Sequence, residues 1–324
     1  MDKPKVFIAR TVPAEVDAYL NEHCDVVQWD RSSKLTSEQL FDYVKDAEGL
    51  LTSGSPINEE LLKHAPKLRV VSNISVGYNN FDLDAMKRRG IRGTNTPSVL
   101  DDTVADLIVT LILSAARRVT ELDQLVRDGG WRKGMDQEMF GIDVHHKTVG
   151  ILGMGRIGEA VAKRLRFGFD MQVLYHNRRR NEEAEHKYDA RYVGMDELLR
   201  ESDYVVVMTP LTPETVKLIG ARELGLMKPT GILVNASRGQ VVDEAALVEA
   251  LRSGTILAAG LDVFEQEPIS ADHPLVQLPN TVLLPHIGSA TTQTRFDMAM
   301  VAAQNLVAGV QGRIPPNVVP ELAD

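Results

Sequence analysis

Short apolar runs alternate along this chain with stretches whose apolar positions recur every three or four residues, the signatures of buried strands and amphipathic helices. In the first hundred residues the runs predict strands at 5–9, 25–28, 49–52, 68–74 and 92–95, with helices between them at 14–23, 37–45, 58–64 and 83–89. A second series predicts strands at 149–152, 172–175, 191–193, 204–209, 231–235, 258–263 and 281–284. Strands that alternate with helices through short connections fold as parallel, doubly wound sheets. The expected fold class is therefore α/β, with two doubly wound parallel-sheet domains. A long helical pattern, 101–127, lies between the series, with Pro97 and Ser98 before it and Gly129-Gly130 after it. The last helical pattern, 292–311, follows the second series and is expected to return to the first domain. The predicted domains are 1–98 plus 292–324, and 99–291, with a ligand cleft between them at the carboxyl ends of their strands.

The second series opens on the chain's most informative segment. Residues 148–158 read Thr-Val-Gly-Ile-Leu-Gly-Met-Gly-Arg-Ile-Gly, an apolar strand running into Gly153-x-Gly155-x-x-Gly158 and then a helical stretch. In this context Gly153 permits the tight strand-to-helix turn, Gly155 lets backbone approach a pyrophosphate, and Gly158 lets the helix pack on the sheet with its positive end toward the phosphates. The next strand ends at His176-Asn177-Arg178-Arg179-Arg180. An NAD site usually carries an acid here, to accept from the adenosine ribose hydroxyls. This chain has Asn177 and three arginines, and a guanidinium binds a ribose 2′-phosphate that a carboxylate would repel. The site thus reads as NADP-binding, with NADPH preferred over NADH, Arg178 the first candidate for the phosphate and Arg179 the second.

Composition narrows the setting. The chain has 324 residues, 44% apolar and 25% charged, with a formal net charge of −9. That length gives material for two cores, and the acidic balance argues against a general nucleic-acid or membrane-surface role. A small anionic substrate must then be drawn by local positive groups. The single cysteine, Cys24, excludes an intrachain disulfide and fits a reducing compartment. The first residues run into a strand with no apolar core of signal-peptide length, and the longest apolar stretch, 104–116, is broken by Asp106 and too short for a bilayer. A cytoplasmic location without a membrane partner is expected. No metal-ligand spacing stands out.

Three segments at predicted strand ends carry chemistry. Asn235-Ala-Ser-Arg238-Gly239 offers a permanent cation whose fork of donors suits a carboxylate or a polarised carbonyl. Gly260-Leu-Asp262-Val-Phe-Glu265-Gln-Glu267-Pro268 offers three acids, with Glu267 biased to an extended conformation by the proline after it. Leu284-Pro285-His286-Ile-Gly288-Ser289 offers a histidine, the side chain best suited to proton transfer near neutral pH. Taken singly, the first reads equally well as a surface arginine, the second as a solvated acidic loop, and the third more readily as a structural histidine.

Taken together, Arg238, Glu267-Pro268 and His286, in that order after the glycine motif, resemble the D-isomer-specific 2-hydroxyacid dehydrogenase family. The resemblance covers nearly the whole chain, including Ser75-Val76-Gly77-Tyr78-Asn79-Asn80, Asn95-Thr96-Pro97, Thr103-Val-Ala-Asp106 and Thr209-Pro210-Leu211-Thr212. Within the family the chain looks most like the bacterial 2-ketogluconate reductases, which overlap with glyoxylate and hydroxypyruvate reductases. The runs Asp143-Val-His-His-Lys-Thr148 and Val263-Phe-Glu-Gln-Glu-Pro268 support that subgroup. The missing acid at 177 departs from the family's common NAD pattern.

The resemblance implies a flavodoxin-like substrate domain and a Rossmann cofactor domain. It implies NADPH-dependent reduction of a 2-oxo acid to the D-2-hydroxy acid, with His286 as proton donor, Glu267 orienting its imidazole, and Arg238 binding the carboxylate and stabilising charge on the carbonyl oxygen. Backbone N–H groups of Val76 and Gly77 would clamp the carboxylate, with Ser53 a weaker substrate candidate. Arg156 and Ile157 would extend the phosphate loop, and Thr209 and Pro210 would line the adenine side. Thr103, Ala236, Asp262 and Gly288 would surround the nicotinamide, with Asp262 accepting from the carboxamide. A homodimer is implied, through 101–127 and the segment to about Val144. A D-3-phosphoglycerate dehydrogenase is the alternative within the family, disfavoured because the chain ends at 324 without a further regulatory domain. A formate or phosphite dehydrogenase fits less well, since both normally use NAD. Outside enzymes, the family includes transcriptional corepressors that use this fold as a nucleotide-sensing binding module, and turnover with NADPH separates that reading from an enzyme.

Overall fold

The computed structural model describes residues 3–29 and 35–323. The chain divides into two compact units, after Leu100 and again before Ala290. In the first unit the strands are β1 (Lys5–Ile8), β2 (Asp25–Gln28), β3 (Gly49–Thr52), β4 (Val70–Asn73) and β5 (Arg92–Thr94). They form one parallel sheet in the order β2-β1-β3-β4-β5, the flavodoxin-like winding. Helices Ala14–His23, Ser37–Val44, Glu59–His64 and Leu83–Arg88 make the crossovers. Their starts follow the sequence: Thr36 and Gln39 form a capping box, and Asn58 and Asp82 accept from the N–H three residues on. The closing helix, Thr292–Val310, packs on this sheet so tightly that a Cβ at Gly309 would lie 2.7 Å from the Val70 side chain. Asn305, fully buried on that helix, donates to the Asn95 carbonyl at 3.1 Å and accepts from the Asn317 N–H at 3.2 Å, so the tail after the helix is stitched to β5's exit.

The second unit holds β6 (Thr148–Leu152), β7 (Gln172–His176), β8 (Ala190–Tyr192), β9 (Tyr204–Val207), β10 (Ile232–Asn235), β11 (Ala258–Leu261) and β12 (Thr281–Leu283). All pair in parallel in the order β12-β11-β10-β9-β6-β7-β8, so the order reverses between β6 and β9. That switch point, at the carboxyl ends of the strands, is where doubly wound sheets bind nucleotides. Strands such as Tyr-Val-Val-Val at β9 are apolar throughout because a parallel sheet is covered on both faces.

One element differs from the sequence pattern. The predicted helix at 101–127 is two helices, Asp101–Ala116 and Val119–Arg127, with Arg118 between them in the left-handed region at φ 55°. The reason lies further along the chain. The Ile142 N–H takes the Ala116 carbonyl at 2.9 Å, the acceptor a continuing helix would need, and Gly141 passes so close that a Cβ there would lie 2.3 Å from that oxygen. Arg118 closes the corner by pairing with Glu121 and donating to the Glu138 carbonyl at 2.6 Å. Periodicity cannot show a carbonyl taken from 26 residues downstream. Among the described residues no helix is long and apolar enough to cross a membrane, and no cluster of ligating side chains could hold a metal.

Candidate active site

The three glycines after β6 do three different things. Gly153 has φ +107°, and a Cβ on it would lie 2.7 Å from the Met208 carbonyl, so the loop presses against the end of β9. A Cβ at Gly158 would lie 2.4 Å from the Gly153 carbonyl oxygen, which only glycine allows where the helix turns back on its loop. Gly155 has no heavy atom within 4 Å of its would-be Cβ. The helix Arg156–Phe169 starts there with no side-chain cap hydrogen bond, at exposed Gly155 and Arg156. An uncapped helix start behind an open glycine fits a pyrophosphate. The buried Thr209 Oγ1 at the exit of β9, beside exposed Pro210, has no hydrogen-bond partner among the described residues and adds an unsatisfied polar atom at the same switch point. Arg156 pairs with Asp101 at 3.2 Å, so its head group is held by the protein itself.

The end of β7 separates its polar residues by job. Asn177 Oδ1 accepts from the Met154 N–H at 2.7 Å and its Nδ2 donates to the Met154 carbonyl at 3.2 Å, bracing the glycine loop from behind. Arg180 is held by Glu185 through two bonds of 2.7 and 2.6 Å. Arg178 and Arg179 are exposed, and neither makes an ion pair among the described residues. The run of three arginines thus contains one structural member and two with open head groups.

Arg238, Glu267 and His286 come together past the ends of β10, β11 and β12. Asn235 ends β10, buried; it donates to the Arg238 carbonyl at 3.0 Å and accepts from the Ser237 N–H and hydroxyl at 3.1 and 2.9 Å. At the next residue but three, Gly239, there is no room for a side chain, because a Cβ there would lie 1.8 Å from the Phe264 carbonyl carbon. Two strand-end loops therefore touch backbone to backbone, with Gln240 adding a 2.7 Å bond to the Glu265 carbonyl. Half-buried Arg238 donates to the Ser237 carbonyl at 2.7 Å. Burial lowers its pKa, the Glu267 charge opposes that, and a guanidinium stays protonated regardless.

Glu267 Oε2 meets His286 Nδ1 at 2.7 Å, and Oε1 accepts from the Phe264 N–H at 3.1 Å. The Glu267–Pro268 peptide is cis. Burial pushes the Glu267 carboxyl up, but the bond to His286, the Phe264 N–H and the charges of His286 and Arg238 outweigh it and hold the carboxyl below the usual glutamate range. An ionised carboxylate only accepts, so Nδ1 carries the proton in this pair and Nε2 is left for other chemistry. His286 itself sits at φ 53°, a left-handed conformation held in place from below. Asp262, buried at the end of β11, accepts from the Ile287 N–H at 2.7 Å and the Gly288 N–H at 2.8 Å. Burial raises the Asp262 pKa and those two N–H groups work against it. Both oxygens of Asp262 are therefore already engaged in shaping the His286 turn. Gly288 is closely packed: a Cβ there would lie 3.1 Å from Asp262 Oδ2 and 3.4 Å from Val104, the neighbour of half-buried Thr103. Ala236, also half-buried, lies in the loop after β10.

The first unit carries Ser53, Val76 and Gly77. Ser53 is exposed in the loop after β3, where Gly54 turns at φ +89°. Val76 and Gly77 are half-buried in the loop after β4. Their carbonyls are occupied: Asn95 Nδ2 donates to Val76 at 2.8 Å, Asn73 Nδ2 donates to Gly77 at 3.0 Å, and the Ser75 hydroxyl also donates to Gly77. No hydrogen bond of either N–H is seen among the described residues, which leaves two adjacent donors.

Several positioning residues were not singled out by sequence reasoning: Asn73, Asn80, Asn235 and Gly239. Two shared a readable signal. Val-Val-Ser-Asn at β4 and Ile-Leu-Val-Asn at β10 both end an apolar strand in asparagine, and both asparagines are buried and hold the loop that follows.

The model of the D-isomer specific 2-hydroxyacid dehydrogenase NAD binding domain matches residues 109–288. Over 323 residues the chain is 50% identical to glyoxylate/hydroxypyruvate reductase B of Escherichia coli O9:H4 (strain HS), covering 99% of this chain and 100% of that one. Among solved structures, the NADPH-dependent glyoxylate/hydroxypyruvate reductase of Sinorhizobium meliloti, in complex with NADP and malonate, superposes with a TM-score of 0.86 at 34% identity, covering 99% of this chain and 98% of that one. A protein from Thermus thermophilus does so with a TM-score of 0.89 at 43% identity, covering 97% and 99%.

Proposed function

Because the chain belongs to the D-isomer specific 2-hydroxyacid dehydrogenase family, we propose that it reduces small 2-oxo acids to D-2-hydroxy acids with NADPH, glyoxylate, hydroxypyruvate and 2-ketogluconate being the candidate substrates. The observation that carries this reading is the Glu267–His286 pair, at 2.7 Å, in the unit that also holds Arg238 and the open glycine loop. Bound NADPH supplies the hydride. His286 Nε2 gives a proton to the oxygen that becomes the hydroxyl, while Glu267 holds the ring through Nδ1. Arg238 stabilises the negative charge that develops on that oxygen. On the first unit, the N–H groups of Val76 and Gly77 hold the substrate carboxylate, and Ser53 flanks them. Asp262 sets the turn that presents His286 rather than serving chiefly as a carboxamide acceptor.

The preference for NADPH rests on Arg178 and Arg179, with no acid at Asn177 to repel a 2′-phosphate. Steady-state kinetics on a panel of 2-oxo acids, with each cofactor, test both halves. Reduction of glyoxylate and hydroxypyruvate with a higher kcat/KM for NADPH is expected, and Arg178→Ala should narrow that gap. An enzyme that prefers NADH, or that turns over none of the panel, overturns the corresponding half.

The chain is further proposed to act as a cytoplasmic homodimer through the segment from Val119 to Phe140. Val119, Val126, Trp131 and Phe140 are each at least half exposed there, an apolar face that a second copy would cover. Light scattering on the wild type and on Trp131→Asp reads the assembly directly; a monomer in the wild type excludes it.

A further inference from the structure

Two arginines of the helix Arg156–Phe169 meet acids of the helix Asp101–Ala116, and they are held differently. Arg164 is engaged at every nitrogen. Its Nε donates to Asp106 at 2.7 Å, its Nη1 to Asp102 Oδ1 and to the Ala160 carbonyl at 3.0 Å each, and its Nη2 to the Asp102 carbonyl at 3.2 Å. Arg156, about two turns earlier on the same face, is held at one atom: its Nε lies 3.2 Å from Asp101 Oδ2. No bond of its Nη1 or Nη2 is seen among the described residues, and its side chain is 55% exposed against 23% for Arg164.

The acids differ as well. Asp102 and Asp106 are mostly exposed, whereas the Asp101 side chain is only 15% exposed. Its Oδ1 is buried, with no hydrogen-bond partner among the described residues. Burial raises the Asp101 pKa and the Arg156 charge works against that. A carboxylate in such a place costs free energy that an exposed pair would not. Joining the two helices does not account for it, because Arg164 already joins them through exposed acids. What the Asp101 pair adds is orientation. A guanidinium held at Nε keeps its two terminal nitrogens as an end-on fork, which can donate to two phosphate oxygens at once. Arg156 is the first residue of its helix, directly after exposed Gly155, whose would-be Cβ has no heavy atom within 4 Å. The fork therefore belongs to the open end of the helix, where the dipole also favours an anion.

We infer that Asp101 is a positioning residue for cofactor binding, holding Arg156 by its Nε so that the two terminal nitrogens fork onto the pyrophosphate. The inference rests on the proposed use of NADPH and on Arg156 as part of the phosphate loop. The test is a double-mutant cycle on the dissociation constant of NADPH, read from the fluorescence of the bound nicotinamide, in the wild type, Asp101→Ala, Arg156→Ala and the double variant. Arg156→Ala should weaken binding about tenfold, the size of a charge-assisted hydrogen bond, and Asp101→Ala by about half that factor. In the Arg156→Ala background the Asp101→Ala change should weaken nothing further, because the group it positions is gone. Adenosine 2′-monophosphate, which lacks the pyrophosphate, should compete equally well with NADPH once each variant's own NADPH affinity is allowed for. Equal weakening by Asp101→Ala in both backgrounds, or weaker binding of adenosine 2′-monophosphate as well, overturns the inference in favour of a role in the fold alone. Tighter NADPH binding in Asp101→Ala overturns it in favour of a carboxylate that competes with the phosphates for Arg156, and unchanged binding overturns it outright. Should Asp101→Ala fail to fold, Asp101→Asn keeps the shape, removes the charge that fixes Arg156, and carries the same expectation. If the wild type prefers NADH, the NADPH reading falls, and the same cycle run with NADH decides, since both cofactors carry the pyrophosphate. A wild type that binds neither removes both readings.

Discussion

The loop after β4 in the first unit and the loops after β10, β11 and β12 in the second are braced by different chemistry. In the first unit the ties are neutral amides: Asn73, Asn80 and Asn95 hold the Ser53–Ser55 and Ser75–Gly77 loops through carbonyls and N–H groups. In the second they are mostly charged: Asp262 holds Ile287 and Gly288 and Glu267 holds His286 and Phe264, while Asn235, behind Arg238, and Gln240, on the Glu265 carbonyl, are neutral braces. The contrast follows from what each loop must deliver. Presenting two N–H donors to a carboxylate needs backbone held still, and a nearby acid would repel the ligand. Moving a proton and stabilising an alkoxide needs groups whose charge is set by their neighbours, and those neighbours must be ionised themselves.

The largest expected effect breaks the charged side of that comparison. His286→Ala should lower kcat by about 10²–10⁴, the range for loss of general acid catalysis, with little change in KM. Measurement at saturating substrate across pH checks it, and full activity at any pH would falsify the proton-donor role. Glu267→Gln should keep residual activity with a lowered kcat, because a neutral amide no longer fixes the Nδ1–H tautomer and the orientation of the ring. The same acid gives a stability signature. Its folded pKa lies below the unfolded one, so its contribution is present above the unfolded value and is lost as pH falls through the folded value. Wild type should therefore lose stability relative to Glu267→Gln only on the acid side.

Arg238→Ala comes next, with kcat/KM down about 10²–10³ and both parameters affected. Arg238→Lys should recover little, because an ammonium cannot reproduce the planar fork. A lysine variant with near wild-type kinetics would show that charge alone matters there.

A third substitution probes geometry without touching charge. Gly239→Ala puts a methyl 1.8 Å from the Phe264 carbonyl carbon, and both elements are backbone, so neither yields by a rotamer change. A loss of about 1–3 kcal/mol is expected from overpacking, read as a lowered Tm, together with reduced kcat from the displaced Arg238 and Glu267 loops. Unchanged stability would mean the two loops move apart freely.

How much of this was legible in the chain depends on how local the cause is. The strands of both sheets are visible because a covered parallel strand must be apolar throughout, and the glycine loop because its turn, its close approach and its helix packing all fall within six residues. Arg238, Glu267 and His286 could be nominated only through their joint resemblance to a family, since each alone has a plain structural reading. The corner at Arg118 was not legible: it is caused by Ile142 and Gly141 reaching back to Ala116. Asn177 was read for what it lacks as a cofactor ligand, while its bonds to Met154 show a brace. Side-chain bonds between distant segments leave no periodicity to detect.

The smallest effect sharpens the neutral side of the comparison. Asn73 is buried, and its amide reaches Gly54, Ser75, Gly77 and Asn80 at once. None of these contacts touches a reacting atom, so its loss should loosen the Val76 and Gly77 donors without altering proton transfer. Asn73→Ala is expected to raise KM about tenfold, the equivalent of one or two hydrogen bonds, and to leave kcat within a factor of a few. Asn73→Asp keeps the shape but trades the Nδ2 donor for an acceptor facing three oxygens and brings a negative charge toward the proposed carboxylate anchor. It should therefore raise KM further than alanine does, and the excess should shrink as salt screens the repulsion. If the aspartate variant instead matches wild type, the loop is held by Asn95 and Ser75 without it, and neutrality at this strand end has no bearing on substrate binding.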